Sequence, residues 1–129
     1  MKRIVIILII IIFPLRVGAI SASSYIVMDT DNNRVLEGNN INKESLIASI
    51  TKILTSMVVI NNINLDKKIT ISDSVLKSYG SGIYVSVGEE ITIRELLYGL
   101  MLRSGNDAAI ELAYQVASST ENFAYLMNL

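Results

Sequence analysis

Cysteine and histidine are both missing from this chain of 129 residues, which also has no tryptophan and a single proline. Without cysteine there is no disulfide framework, no thiol nucleophile and no thiolate cage for a metal. Without histidine there is no Ser-His-Asp triad, no H-E-x-x-H zinc site and no mixed Cys/His zinc site. Any proton transfer in this chain therefore falls to lysine, tyrosine or a carboxylate. Basic charge is scarce as well. Lys2, Arg3 and Arg16 all lie in the first 21 residues, which hold no acid, so residues 22–129 carry 8 basic and 12 acidic side chains. A net charge of −4 without an arginine run argues against nucleic acid as a partner.

The one long apolar run is short for a membrane span. Ile4 to Phe13 follows the basic start, Pro14 ends the run, and small residues come next in Gly18-Ala19-Ile20-Ser21-Ala22. That order is the layout of a secretory signal peptide, read here as residues 1–21 with cleavage near Ser21 or Ala22. The run has about half of the roughly 20 residues a spanning helix needs. A retained membrane anchor is the alternative. The expectation is an exported, extracytoplasmic protein, secreted or held in the cell envelope, whose residues 22–129 form one small domain at most.

Along that stretch, "SYIVMD" at Ser24–Asp29 and "VLEG" at Val35–Gly38 read as strands joined by the turn "DTDNNR", a hairpin. A helix is expected from about Ser49 to Asn61, with Ile50, Ile53, Leu54, Met57 and Val58 forming its buried face. "KITI" reads as a short strand, and Ser72–Glu90 as irregular, broken by Gly80, Gly82 and Gly88. Thr92 with Glu95 makes a capping box that opens the helix "IRELLYGLML". "RSGND" interrupts, "AAIELAYQVA" is the next helix, and Thr120 caps a last one. The helical half looks too apolar for its size, with two strands and one helix offering little to cover it.

Two short motifs can carry chemistry. Ser49-Ile50-Thr51-Lys52 is an S-x-x-K, and on a helix residues i and i+3 share a face, so the lysine amine can reach the serine hydroxyl. A serine hydroxyl needs an adjacent base, and a lysine serves when burial favours its neutral form. Spacing alone is weak support, because Ser74-Val75-Leu76-Lys77 has the same pattern in breaker-rich sequence and reads as structural. The second motif is Ser104-Gly105-Asn106, between two apolar helices. Taken alone, turn chemistry explains it better: glycine ends one helix and asparagine opens the next. It nevertheless supplies a hydroxyl for proton relay and an amide for a substrate carbonyl. Penicillin-recognising serine enzymes combine S-x-x-K with S-D-N and K-T-G. Two of these three elements occur here in order, with glycine in place of aspartate.

The longer segments "YIVMDTDNNRVLEGNNINKESLIASITKILTSMVV" and "GSGIYVSVGEEITIRELLYGLMLRSGNDAAIELA" resemble the amino-terminal part of the serine-type D-alanyl-D-alanine carboxypeptidases, the low-molecular-mass penicillin-binding proteins. The resemblance implies that Ser49 forms the acyl-enzyme, Lys52 is its general base, Ser104 relays protons and Asn106 helps hold the substrate. It implies removal of the terminal D-alanine from the peptidoglycan stem peptide, acylation by β-lactam antibiotics, and no metal or organic cofactor. The fold implied is α+β, of the β-lactamase/transpeptidase type, a five-stranded antiparallel sheet against a helical cluster.

The sequence departs from that pattern in two places. Ile47 stands where the family usually has proline, a local change two residues before the nucleophile. K-T-G is absent, together with the later strands, one of which would line the cleft opposite the serine. The expectation is an amino-terminal fragment of the fold with two of five strands, inactive and unstable alone. In this family, membrane attachment would come from a carboxy-terminal segment that these residues do not include. Two alternatives stand beside it: a β-lactamase-like hydrolase of the same fold, and a non-catalytic exported pseudoenzyme that binds peptidoglycan or a partner through exposed apolar surface.

Overall fold

The computed structural model describes residues 21–129 of the chain. The signal-peptide reading of residues 1–21 therefore lies almost wholly outside the described residues. The chain divides into two compact units, with the boundary after Ser45. In the first, β1 (Tyr25–Asp29) and β2 (Arg34–Asn39) form the expected antiparallel hairpin. The strands are rich in β-branched and aromatic residues, and the Asp/Asn turn lets Asn33 adopt a left-handed backbone (φ 52°). A register shift between Val27 and Met28 leaves Leu36 without a paired residue. The Tyr25 hydroxyl donates to Glu37 across the strands at 2.7 Å.

The second unit, Leu46–Leu129, is mostly helical. A 3-10 turn at Ala48–Ile50 leads into α1 (Thr51–Asn62). The sequence placed Ser49 inside this helix; instead it sits in the turn before it, preceded by Ala48 in a left-handed conformation (φ 47°). β3 (Lys68–Thr70) pairs antiparallel with β4 (Glu90–Thr92). The sequence reading missed β4 because it is three residues long and runs straight into a helix cap. A second 3-10 turn, Asp73–Lys77, lies between these strands. Three helices follow: α2 (Ile93–Arg103), α3 (Asn106–Ala117) and α4 (Thr120–Met127).

The capping box is present. Thr92 accepts the Glu95 amide, and the Glu95 carboxylate accepts the Thr92 amide at 2.8 Å. At α4 the cap is Ser119, one residue before the expected Thr120, and it accepts the Asn122 amide. One core joins α1, the small sheet and the last three helices, with Val59, Ile71, Ile93, Leu96, Leu100 and Leu112 all at 1 % exposure or less. Fully burying each such side chain contributes about 1.5–3 kcal/mol. Most of the apolar residues thought to lack partners therefore cover one another across α2, α3 and α4. Met101 and Leu102 are the exceptions and remain exposed.

The expected buried face of α1 is not the observed one. Thr55, Ser56 and Val59 are buried, whereas Ile50, Ile53, Leu54 and Met57 are exposed; Val58 alone of the expected set packs on the core. The helix is apolar around most of its circumference, so the 3.6-residue period fits more than one stripe. The Thr55 and Ser56 hydroxyls tolerate burial because they donate to the carbonyls of Thr51 and Lys52 one turn earlier.

Candidate active site

Two chain segments of the helical unit meet at the Lys52 amine. α1 supplies Lys52 from its first turn, half-buried. The α2–α3 turn supplies Ser104 and Asn106. Ser104 ends α2 with a left-handed backbone (φ 54°, ψ 37°), and the Gly105 amide closes back onto the Gly99 carbonyl at 3.2 Å. That reversal turns both the Ser104 hydroxyl and its carbonyl toward α1. Asn106 opens α3, so its own amide is free of helical bonding and donates to the Ser81 carbonyl at 2.7 Å.

The Lys52 amine donates to the Ser104 hydroxyl at 2.8 Å, to Asn106 Oδ1 at 2.7 Å, and to the Ser104 carbonyl. Three acceptors match the three hydrogens of an ammonium group. The Ser49 hydroxyl is exposed and lies 2.8 Å from the Ser104 hydroxyl. All four residues singled out in the sequence thus converge on one place. Their connection is less direct than the i, i+3 spacing suggests. Among the described residues Ser49 bonds to Ser104, and Ser104 bonds to Lys52, so the hydroxyl of Ser104 lies between nucleophile and base. The reason is the 3-10 turn, which takes Ser49 off the helical face that Lys52 occupies.

Burial pushes the Lys52 ammonium below the ordinary lysine range, and the Asp107 carboxylate pulls partly the other way. Asn106 is held at both ends of its amide: Oδ1 accepts from Lys52, and Nδ2 donates to the Tyr79 carbonyl at 2.6 Å. An amide nitrogen carries two hydrogens, so one remains for a further acceptor. Asn106, Ser78, Tyr79, Ala109 and Ile110 line a pocket of about 240 Å³.

The second S-x-x-K is a structural element, as its setting suggested. Ser74 is buried and donates to the Glu111 carboxylate at 2.8 Å, while Lys77 is exposed and donates to the Tyr114 hydroxyl at 3.0 Å. Two acids that the sequence reading passed over matter here. Glu111 is fully buried and also accepts from Ser72 and Gln115; Asp107 is buried beside Asn106. Both sit on helical faces whose other residues are apolar, at α3 positions shared with Ala108 and Leu112. An acid on such a face was the available signal.

Known proteins resemble this chain in sequence and in fold. The family profile described as D-alanyl-D-alanine carboxypeptidase matches residues 13–129. The chain is 33 % identical over 112 residues to the D-alanyl-D-alanine carboxypeptidase DacF of Bacillus subtilis, covering 83 % of this chain and 29 % of that protein. It is 36 % identical over 121 residues to DacC of Escherichia coli, covering 85 % and 30 %. The chain thus spans less than a third of the length of these relatives. Among solved structures, the D-alanyl-D-alanine carboxypeptidase of Mycobacterium tuberculosis superposes with a TM-score of 0.78 at 30 % identity, over 87 % of this chain and 44 % of that one. Penicillin binding protein 6B of E. coli superposes at 0.77 and 28 %, over 90 % and 40 %. The helices and two small sheets accordingly form part of the transpeptidase-type α+β fold. By profile, by relatives and by fold, the chain belongs to the family of D-alanyl-D-alanine carboxypeptidases, the S11 peptidases.

Proposed function

We propose that these residues carry the nucleophilic side of a serine D-alanyl-D-alanine carboxypeptidase site. The observation that supports it most is the unbroken contact from the Ser49 hydroxyl through the Ser104 hydroxyl to the Lys52 amine, 2.8 Å at each step. With Lys52 neutral, its lone pair faces Ser104. Ser49 attacks the carbonyl of the penultimate D-alanine of a peptidoglycan stem peptide and passes its proton to Ser104, whose own proton moves to Lys52. The tetrahedral intermediate collapses when the proton passes from Lys52 through the Ser104 hydroxyl to the departing amine, breaking the C–N bond. Terminal D-alanine leaves, an ester joins the peptide to Ser49, and water then cleaves that ester. The free hydrogen on Asn106 Nδ2 is placed to hold a substrate carbonyl.

A β-lactam ring is an amide that Ser49 would open by the same first step, leaving a stable ester, so β-lactams are the expected acylating inhibitors. The proposed substrate and inhibitor call for a site outside the cytoplasm, and export directed by the amino-terminal segment is part of the proposal. These 129 residues contain no K-T-G, so the opposite wall of the cleft is not supplied by them and the stretch alone does not complete a turnover.

The test uses the protein expressed from its complete reading frame. Fluorescent penicillin should label it once, with the modified peptide containing Ser49, and a D-Ala-D-Ala peptide should release D-alanine. Both should vanish in Ser49→Ala. Label on another residue, or a folded protein that takes no label, overturns the reading.

A further inference from the structure

Asp107 is 5 % exposed and makes no salt bridge among the described residues. A buried carboxylate without a cation is costly unless amides satisfy it. Here the Ile83 amide donates to both oxygens at 3.0 and 3.1 Å, the Tyr84 amide donates at 2.7 Å and the Ala108 amide at 2.8 Å. The first two belong to the irregular segment that also supplies the Tyr79 and Ser81 carbonyls to Asn106. Gly80 (φ 82°) and Tyr84 (φ 60°) both have left-handed backbones, and for Tyr84 this conformation is strained.

We propose that Asp107 is a positioning residue for the acyl transfer. Its carboxylate pins the Ile83 and Tyr84 amides, and this fixes the Ser81 carbonyl, which accepts the Asn106 backbone amide, and the Tyr79 carbonyl, which accepts from Asn106 Nδ2 and so keeps Oδ1 toward Lys52. The inference rests on the function proposed above. The chain passes close to the carboxylate at two glycines: a Cβ on Gly82 would lie 3.0 Å from Asp107 Oδ2, and one on Gly105 would lie 3.0 Å from Oδ1, so either would crowd the carboxylate. Ile83 is held at its other end as well, because its side chain packs over Gly99, where a Cβ would come within 2.5 Å of it.

The experiment measures penicillin acylation in the full-length protein, per titrated active site, for Asp107→Asn, Asp107→Ala and Gly82→Ala. A residue that only supports folding lowers the titratable fraction and leaves the acylation rate of each titrated site unchanged. The positioning role predicts a rate per site lowered roughly 10- to 100-fold, the scale on which about 1 Å of misplacement acts. Asparagine, which keeps one acceptor oxygen, should lose less than alanine. Gly82→Ala, which leaves Asp107 in place but crowds it, should fall in the same direction. Hydrogen exchange read at the Ile83 and Tyr84 amides provides the second readout: both should be protected in the wild type and released in Asp107→Asn. Wild-type rates per site in all three variants, or unchanged protection at those amides, overturn the proposal. A wild type without label at Ser49 overturns the proposed function instead, and the exchange measurement then still decides whether the clamp exists.

Discussion

Ser49 with Lys52 and Ser74 with Lys77 have the same spacing, and both pairs lie at 3-10 turns, yet the chain puts them to opposite uses. In the first pair the serine is exposed and the lysine half-buried; in the second the serine is buried and the lysine exposed. Ser104, Asn106 and burial surround Lys52, and its ammonium is pushed below the usual range. The Tyr114 hydroxyl hydrogen bond holds Lys77 above it, with the ring 5.4 Å beneath the amine. Burial on the other partner makes the second motif a brace, while the first has the setting of the reactive pair proposed above. Spacing defines what can meet, and environment decides what reacts.

The contrast can be tested by treating the two pairs alike. Lys52→Ala should lower β-lactam acylation by about 10²- to 10⁴-fold, the range for a lost general base, while Lys77→Ala leaves it within twofold. If both lysines matter equally, the distinction fails. Next in size is the pH dependence. Neutral Lys52 is the reactive form and its pKa is lowered, so the acylation rate should rise with pH and level off below the ordinary lysine value of about 10.4. A midpoint at or above that value would contradict the burial argument.

Stability should follow the reverse assignment. Ser74→Ala removes one donor from the buried Glu111 carboxylate and should destabilise by about 1–3 kcal/mol in denaturant unfolding, whereas Ser49→Ala, at an exposed site, should be near neutral. The smallest effect is expected at Lys77. Its folded pKa is raised, so its contribution is complete below the unfolded lysine value and fades as pH rises through the folded one. Lys77→Met should therefore flatten the alkaline end of the stability profile and leave the neutral region unchanged. At Lys52, where the folded pKa is lowered, stability should instead rise with pH between the folded and unfolded values.

Much of the helical framework could be read from the sequence because its signals are local. The Thr92/Glu95 box, the period of α2 and α3, and the Ser104-Gly105 break each lie within one or two turns. The hairpin was legible from its Asp/Asn turn and β-branched flanks. Other features depended on distant partners. The buried side of α1 was misread because hydrophobicity runs round the helix, and only packing against the rest of the core selects Thr55, Ser56 and Val59. β4 was too short to show a period of two. At the site, the four residues were legible from type and order, but the Ser49–Ser104–Lys52 sequence of contacts depends on a turn geometry that spacing does not encode. Asp107 and Glu111 went unread because a buried acid is distinguished by the amides and hydroxyls it collects, and apart from Ala108 and Gln115 those lie 23 to 39 residues away.

Ser104 ends α2 in the left-handed conformation, which costs a side-chain-bearing residue roughly 1–2 kcal/mol and glycine almost nothing. A chain selected only to fold would place glycine here, as helices commonly do at their ends. Glycine has no hydroxyl to stand between Ser49 and Lys52. Stability and the proposed chemistry therefore pull this single position in opposite directions, and a search for sturdier variants of the protein would find Ser104→Gly among its gains and lose the proposed relay with it.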